Sequence, residues 1–157
     1  MVSKSKMMYQ QILNFFKQQN WEYTEIKGKT IAMLGISGEN GEFQCIADVN
    51  EGEKRLLFLS FCNVNVPKEK RINMSELLTR LNFGQFLGNF EMDFEDGEIR
   101  FKTSMYFSHG SPELEVIENL IMTNIFAMDA SMPAIFNLIN ENISPLQALA
   151  ALKNTES

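Results

Sequence analysis

The stretch from Asn89 to Phe107 constrains this chain more than any other. Phe90, Met92 and Phe94 alternate with Glu91, Asp93 and Glu95, and Ile99, Phe101, Thr103, Met105 and Phe107 alternate with Arg100, Lys102, Ser104 and Tyr106. A period of two is that of a strand with one apolar and one wet face. Between the two runs lies Asp96-Gly97, a pair suited to a two-residue type I′ turn, whose central residues both need positive φ. Such a turn sets Phe94 opposite Ile99 and Met92 opposite Phe101. On the other face it sets Asp93 opposite Arg100 and Glu91 opposite Lys102, each opposite-charge pair contributing about 0.2–1 kcal/mol. A chain with this hairpin is committed to an antiparallel sheet.

The remaining segments supply that sheet's neighbours. Met8, Ile12, Phe15 and Gln19, widened by Tyr9, Leu13 and Phe16, predict an amphipathic helix over 5–19, ended by Asn20. The period then drops to two. Strands are expected at Trp21–Lys27, Thr30–Ser37, Glu42–Asn50 and Lys54–Val66, separated by turns at Gly28-Lys29, Gly38–Gly41 and Glu51–Glu53. The fourth is apolar on both faces: Leu57, Leu59 and Phe61 point one way, Leu56, Phe58 and Cys62 the other. That pattern predicts a central strand covered on both sides.

Pro67 breaks this strand, and Asn73 with Glu76 resembles a capping box ahead of Leu77, Leu78 and Leu81. Ser111-Pro112-Glu113 opens a long helix with a stripe from Ile117 to Ile139, and Pro133 predicts a kink or break near Ala130. Ser144-Pro145 opens a short last helix, Leu146–Leu152. The order α-β-β-β-β-α-β-β-α-α is that of an α+β fold, an antiparallel sheet with helices. Its 157 residues suit one domain spanning 1–157.

Composition excludes several functions. Leu, Ile, Val and Phe make up 46 of the 157 residues, too many for a disordered chain. The net charge of −6 argues against a nucleic-acid binder. The longest strongly apolar run, Leu56–Cys62, is far shorter than the roughly 20 residues of a membrane span. No apolar core follows Lys4 and Lys6, so an export signal is not expected. Two cysteines are too few for a disulfide scaffold and suit a cytoplasmic protein with reduced thiols.

Motifs that carry chemistry fail on inspection. Gly28-Lys29-Thr30 ends like a phosphate-binding loop, but Tyr23 replaces the required glycine and a strand follows where a helix is needed. Gly35-Ile36-Ser37-Gly38-Glu39 misses the last glycine of a nucleophile elbow. Asp93, Glu95 and Asp96 lack the spacing of a calcium loop. Cys45 and Cys62 sit among apolar neighbours, where a thiol is a small inert hydrophobe. A turn at Gly52 sets Cys45 opposite about residue 60, so the two cysteines are offset and form no disulfide. His109 is the one histidine, and no metal, cofactor or catalytic residue is expected.

Two runs resemble the YbjN family of bacterial proteins. They are Leu81-Asn82-Phe83-Gly84 to Leu87-Gly88-Asn89-Phe90-Glu91-Met92-Asp93, continuing through Asp96-Gly97-Glu98-Ile99-Arg100-Phe101, and Asp129-Ala130-Ser131-Met132-Pro133-Ala134-Ile135. Pro67-Lys68-Glu69-Lys70-Arg71 fits as well. The resemblance implies proposed sensory-transduction regulators with a fold like type III secretion chaperones, small acidic dimers that hold segments of partners. It brings no catalytic residues.

The expected function is therefore non-enzymatic: a cytoplasmic protein-binding or regulatory module, homodimeric, binding another polypeptide and neither nucleic acid nor membrane. Its expected surface comprises Met7, Met8, Leu57, Leu59, Phe61 and Met132, where apolar side chains exceed what one small sheet face covers. Met92, Met105, Met122 and Met128 are expected in the core. Two rivals stay open. One is a secretion chaperone for a single exported protein; the other is a small-ligand protein or enzyme built on His109 and nearby carboxylates.

Overall fold

The computed structural model describes residues 4–107 and 112–153, with side chains from Met7 onward. His109 and the cap Ser111 lie outside the described residues. The elements are α1 (Lys4–Gln18), β1 (Tyr23–Glu25), β2 (Ile31–Ser37), β3 (Glu42–Asn50), β4 (Arg55–Phe61), α2 (Arg71–Asn82), β5 (Asn89–Met92), β6 (Ile99–Tyr106), α3 (Leu114–Asn140) and α4 (Pro145–Lys153). Their order is the expected one, and the fold is α+β.

Local chemistry sets the helix ends. Past α1, Asn20 takes a φ of 57°, with its N–H on the Lys17 carbonyl at 3.1 Å and the Trp21 N–H on the Phe16 carbonyl at 2.9 Å. This is a Schellman closure, and its usual apolar contact is present as Trp21 against Phe16, ring centroids 6.0 Å apart. At α4 the Gln147 N–H donates to the Ser144 hydroxyl at 3.2 Å, and the Ser144 N–H donates to the Gln147 side chain at 2.8 Å, a reciprocal capping box.

The sheet has six antiparallel strands in the order β1-β2-β3-β4-β6-β5. β1 to β4 form a meander, and β6 returns beside β4, leaving β5 on the edge. Cys45 faces Ser60, as the turn at Gly52 requires, and both cysteines are free. Ala32, Leu34, Ile36, Phe43, Cys45, Ala47, Val49, Leu56, Phe58, Ile99 and Phe101 form the buried face. α1 lies against β3, α2 against β5, and α3 against β4 and β6, while α4 packs on α2 and α3. The helical layer is therefore one-sided. β4 is interior to the sheet, as expected, but among the described residues no helix lies over its second face.

The long helix is continuous. The break expected near Ala130 does not occur, although Pro133 withholds a donor from the Asp129 carbonyl. A helix-interior proline costs about 3 kcal/mol. Met128, Met132, Ile135 and Leu138 around it are fully buried, and each such side chain is worth about 1.5–3 kcal/mol. Tertiary packing wins.

The resemblance motifs are joints of the fold. The Asp129 carboxylate accepts the Asn40 N–H at 2.9 Å and the Glu39 N–H at 3.2 Å, pinning the β2–β3 turn to α3. Gly41 in that turn has a φ of 154° and lies so close to Met132 that an added Cβ stands 2.7 Å from its methyl. This is why Met132, expected on the surface, is fully buried. Met8 is fully buried as well, because the α1 stripe turns inward there, whereas Met7 is half exposed. Met122, expected in the core, is exposed on the outer side of α3.

Two local expectations change. The β5–β6 hairpin pairs Met92 with Ile99, Phe90 with Phe101 and Glu91 with Arg100, two residues from the expected register. The shift keeps the paired strand residues on their expected faces, but Phe94, expected opposite Ile99, falls in the turn and is half exposed. The turn is longer because Asp93 and Asp96 accept the backbone N–H groups of Glu95 and Glu98, both at 2.8 Å, building Asx turns in place of a type I′ pair. The Val66 N–H donates to the Gly97 carbonyl at 2.8 Å, and Arg71 donates to the carbonyls of Phe94 and Glu95. These bonds tie the turn to the segment before α2. The second change is at Asn73, which caps nothing. A 3₁₀ turn at Lys68–Lys70 leads directly into α2, and Glu76 serves Arg80 instead.

Candidate partner-binding surface

The uncovered sheet face is built by register. Met33 lies beside Ile46, Ile46 beside Leu59, and Leu59 beside Lys102 across β2, β3, β4 and β6. Ile31, Leu57 and Phe61 flank that row on the same face. Met33 is 41% exposed, and Ile31, Ile46, Leu57 and Phe61 are half-buried. Leu59 is only 8% exposed yet belongs to no helix-facing cluster. Its strand neighbours and the Lys102 stem shield it. Of the six expected surface residues, Leu57, Leu59 and Phe61 are brought together here. Met7 stands apart on α1, and Met8 and Met132 are in the core. Ile31, Met33 and Ile46 were missed. Their signal was the alternation in β2 and β3, which becomes informative only once the strand register is known.

Charged groups border this band. On one side the Glu91 carboxylate bonds Arg100 at 2.7 Å and also Lys102. Burial works against its charge, but those two cationic partners prevail and hold its carboxyl below the usual range. On the other side Arg55 bonds Asp48 at 3.5 Å and Glu53. Beside β1, a shallow depression of about 570 Å³ lies between Tyr23, Thr24, Met33, Gly35 and Gln44. A second, of about 440 Å³, lies at the β5–β6 end around Glu91, Phe94 and Arg100.

The polar groups inside the molecule are structural. Asn124 on α3 is fully buried; its amide donates to the carbonyls of Phe58 and Phe101 at 2.9 and 3.0 Å, and its oxygen bonds Ser60. Ser60 also touches the Cys45 thiol at 3.3 Å. Burial pushes that thiol up to about 12, against a smaller opposing effect of Ser60, and burial raises the Cys62 thiol too. Neither supplies a thiolate at neutral pH. Among the described residues, no cluster of three or more His, Cys, Asp or Glu is placed to hold a metal, and no helix is long and apolar enough to cross a membrane.

An antiparallel sheet with helices on one side and an open apolar band on the other defines an α+β protein. The chain belongs to the YbjN family, described as proposed bacterial sensory transduction regulators, whose family model matches residues 9–137. The crystal structure of YbjN from E. coli, described as a proposed transcription regulator, is similar at a TM-score of 0.56 and 10% identity. That match covers 77% of this chain and 85% of that one. A chain of the HopA1-SchA chaperone-effector complex is similar at a TM-score of 0.47 and 15% identity, covering 82% and 94%. No curated protein matches the sequence.

Proposed function

We propose that this member of the YbjN family is a non-enzymatic protein-binding or regulatory module of the cytoplasm, and that two copies meet through the open sheet face. The observation that carries the proposal is the band of Ile31, Met33, Ile46, Leu57, Leu59 and Phe61, which no helix among the described residues covers. Apolar strand faces become stable by packing against a second layer about 10 Å away. A two-fold dimer supplies that layer from the same surface, and the ion pairs of Glu91 and Arg55 form its polar rim. Light scattering at micromolar concentration tests this. The expected mass is twice the 18.0 kDa chain, and Met33→Lys, at an exposed position, halves it without loss of folded structure. A single-chain mass for the unmodified protein removes the dimer.

A further inference from the structure

A second unpartnered apolar surface lies on the helical side, with different chemistry. α2 and α4 run side by side in one direction. Lys70, ahead of α2, donates from Nζ to the Glu141 carbonyl ahead of α4 at 2.7 Å. At the far ends Arg80, Leu81 and Phe83 share a groove of about 410 Å³ with Leu149 and Lys153. The loop that follows α2 holds Phe83 and Phe86 in water, 92% and 103% exposed. Its base is clamped: Asn82 Oδ1 accepts the Phe90 N–H at 2.6 Å, and Asn82 Nδ2 donates to the Phe90 carbonyl at 3.1 Å. Two large aromatic side chains held out by a clamped loop, beside a groove, have the makings of an interaction site.

The charges on the groove identify its occupant. Arg80 and Lys153 line it, and among the described residues the carboxylate paired with Arg80 is that of Glu76, at 2.8 Å, so two cations meet one anion. The rim is positive on a chain whose net charge is −6. We propose that this groove and loop dock an acidic amphipathic helix of another polypeptide. Its apolar side chains pack on Leu81, Phe83, Phe86 and Leu149, and its carboxylates face Arg80 and Lys153. A groove between two parallel helices suits a third. The proposal rests on the protein-binding reading and gives the partner's segment a chemistry. A second copy presents Leu114 and Val116 beside Glu113 and Glu115 on α3. Joining that surface to the groove pairs two different patches, and without a reciprocal return contact it builds rings or filaments.

The test is a displayed library of random peptides of about 16 residues, enough for four helical turns, selected on the full-length protein. Enriched peptides are expected to be net acidic, with apolar residues at i, i+3, i+4 and i+7. Their affinity is expected to fall about tenfold or more in Phe83→Ser/Phe86→Ser and in Arg80→Gln/Lys153→Gln. Thermal midpoints stay unchanged, because these side chains are exposed, and Met33→Lys binds normally. No enrichment, enrichment of basic peptides, or binding that survives the double Phe variant overturns the proposal. So does Phe-dependent flotation with phosphatidylserine vesicles, which assigns the loop to a lipid surface. Masses that grow beyond a dimer with concentration, and stop growing in the double Phe variant, assign it to a second copy. A monomer that still binds acidic peptides through Phe83 and Phe86 removes the sheet-face dimer and leaves this site standing.

Discussion

Asn124 shows how much one polar side chain can fix inside an apolar core. It reaches two carbonyls on neighbouring strands, the Ser60 hydroxyl and the Thr103 hydroxyl, so α3 has one azimuth and one height over β4 and β6. Asn124→Ala strands Ser60 and leaves a void. Its expected cost is about 2–4 kcal/mol in urea unfolding, combining lost hydrogen bonds and cavity. The thiols make a second prediction. With Cys45 pushed up to about 12 by burial, neither cysteine should react with a thiol reagent at pH 8 until the protein unfolds, when both react. Rapid labelling of the folded protein contradicts the burial. Glu91 gives a third. Its folded pKa lies below its unfolded one, so it stabilises the protein above the usual glutamate value of about 4.3. That contribution is lost as pH falls through the folded midpoint. NMR titration should place the Glu91 midpoint below the usual value, and Arg100→Gln with Lys102→Gln should raise it.

At the level of elements, the sequence was most informative where periodicity and face agree. The alternation from Phe90 to Phe107 placed Ile99, Phe101 and Thr103 on the buried side, and this survives the two-residue change of register because a shift of two preserves the face. The turn was only half legible: Asp93 and Asp96 build it locally as Asx turns, but the bonds that hold it in place come from Arg71 and Val66, distant in sequence. Pro133 misled because a local rule met about six turns of buried apolar stripe, Ile117 to Leu138. Of the open apolar band, Leu57, Leu59 and Phe61 were readable from one strand, but Met33 and Ile46 needed the neighbours. Phe83 and Phe86 lie in the run that carries the family resemblance, and nothing local says that a phenylalanine stands in water. Two substitutions test these joints. Asp129→Ala frees the N–H groups of Glu39 and Asn40 and should cost about 1–2 kcal/mol, as loss of a cap does. Gly97→Ala should cost more, because its φ is +81° and the new methyl group meets the Val66 backbone. Thermal unfolding ranks the two, and equal midpoints reject the account.

For the whole molecule, the one-sided helical layer governs behaviour in time as well as in space. The meander β1–β4 pairs neighbouring segments and is complete at Phe61, but the helix that covers β4 and β6 ends only at Asn140. During synthesis at 5–20 residues per second, about 4–16 s separate the emergence of those two points. For that interval Leu56, Phe58 and Ile36 have no α3 above them, and the opposite band of Met33, Ile46 and Leu59 is bare as well. A nascent chain halted before residue 114 therefore displays the open outer band and, on the inner face, the part of the sheet that α3 would cover. Ribosome-bound chains stalled at that length should be held by cellular chaperones, and chains stalled after α3 has emerged should be released from them.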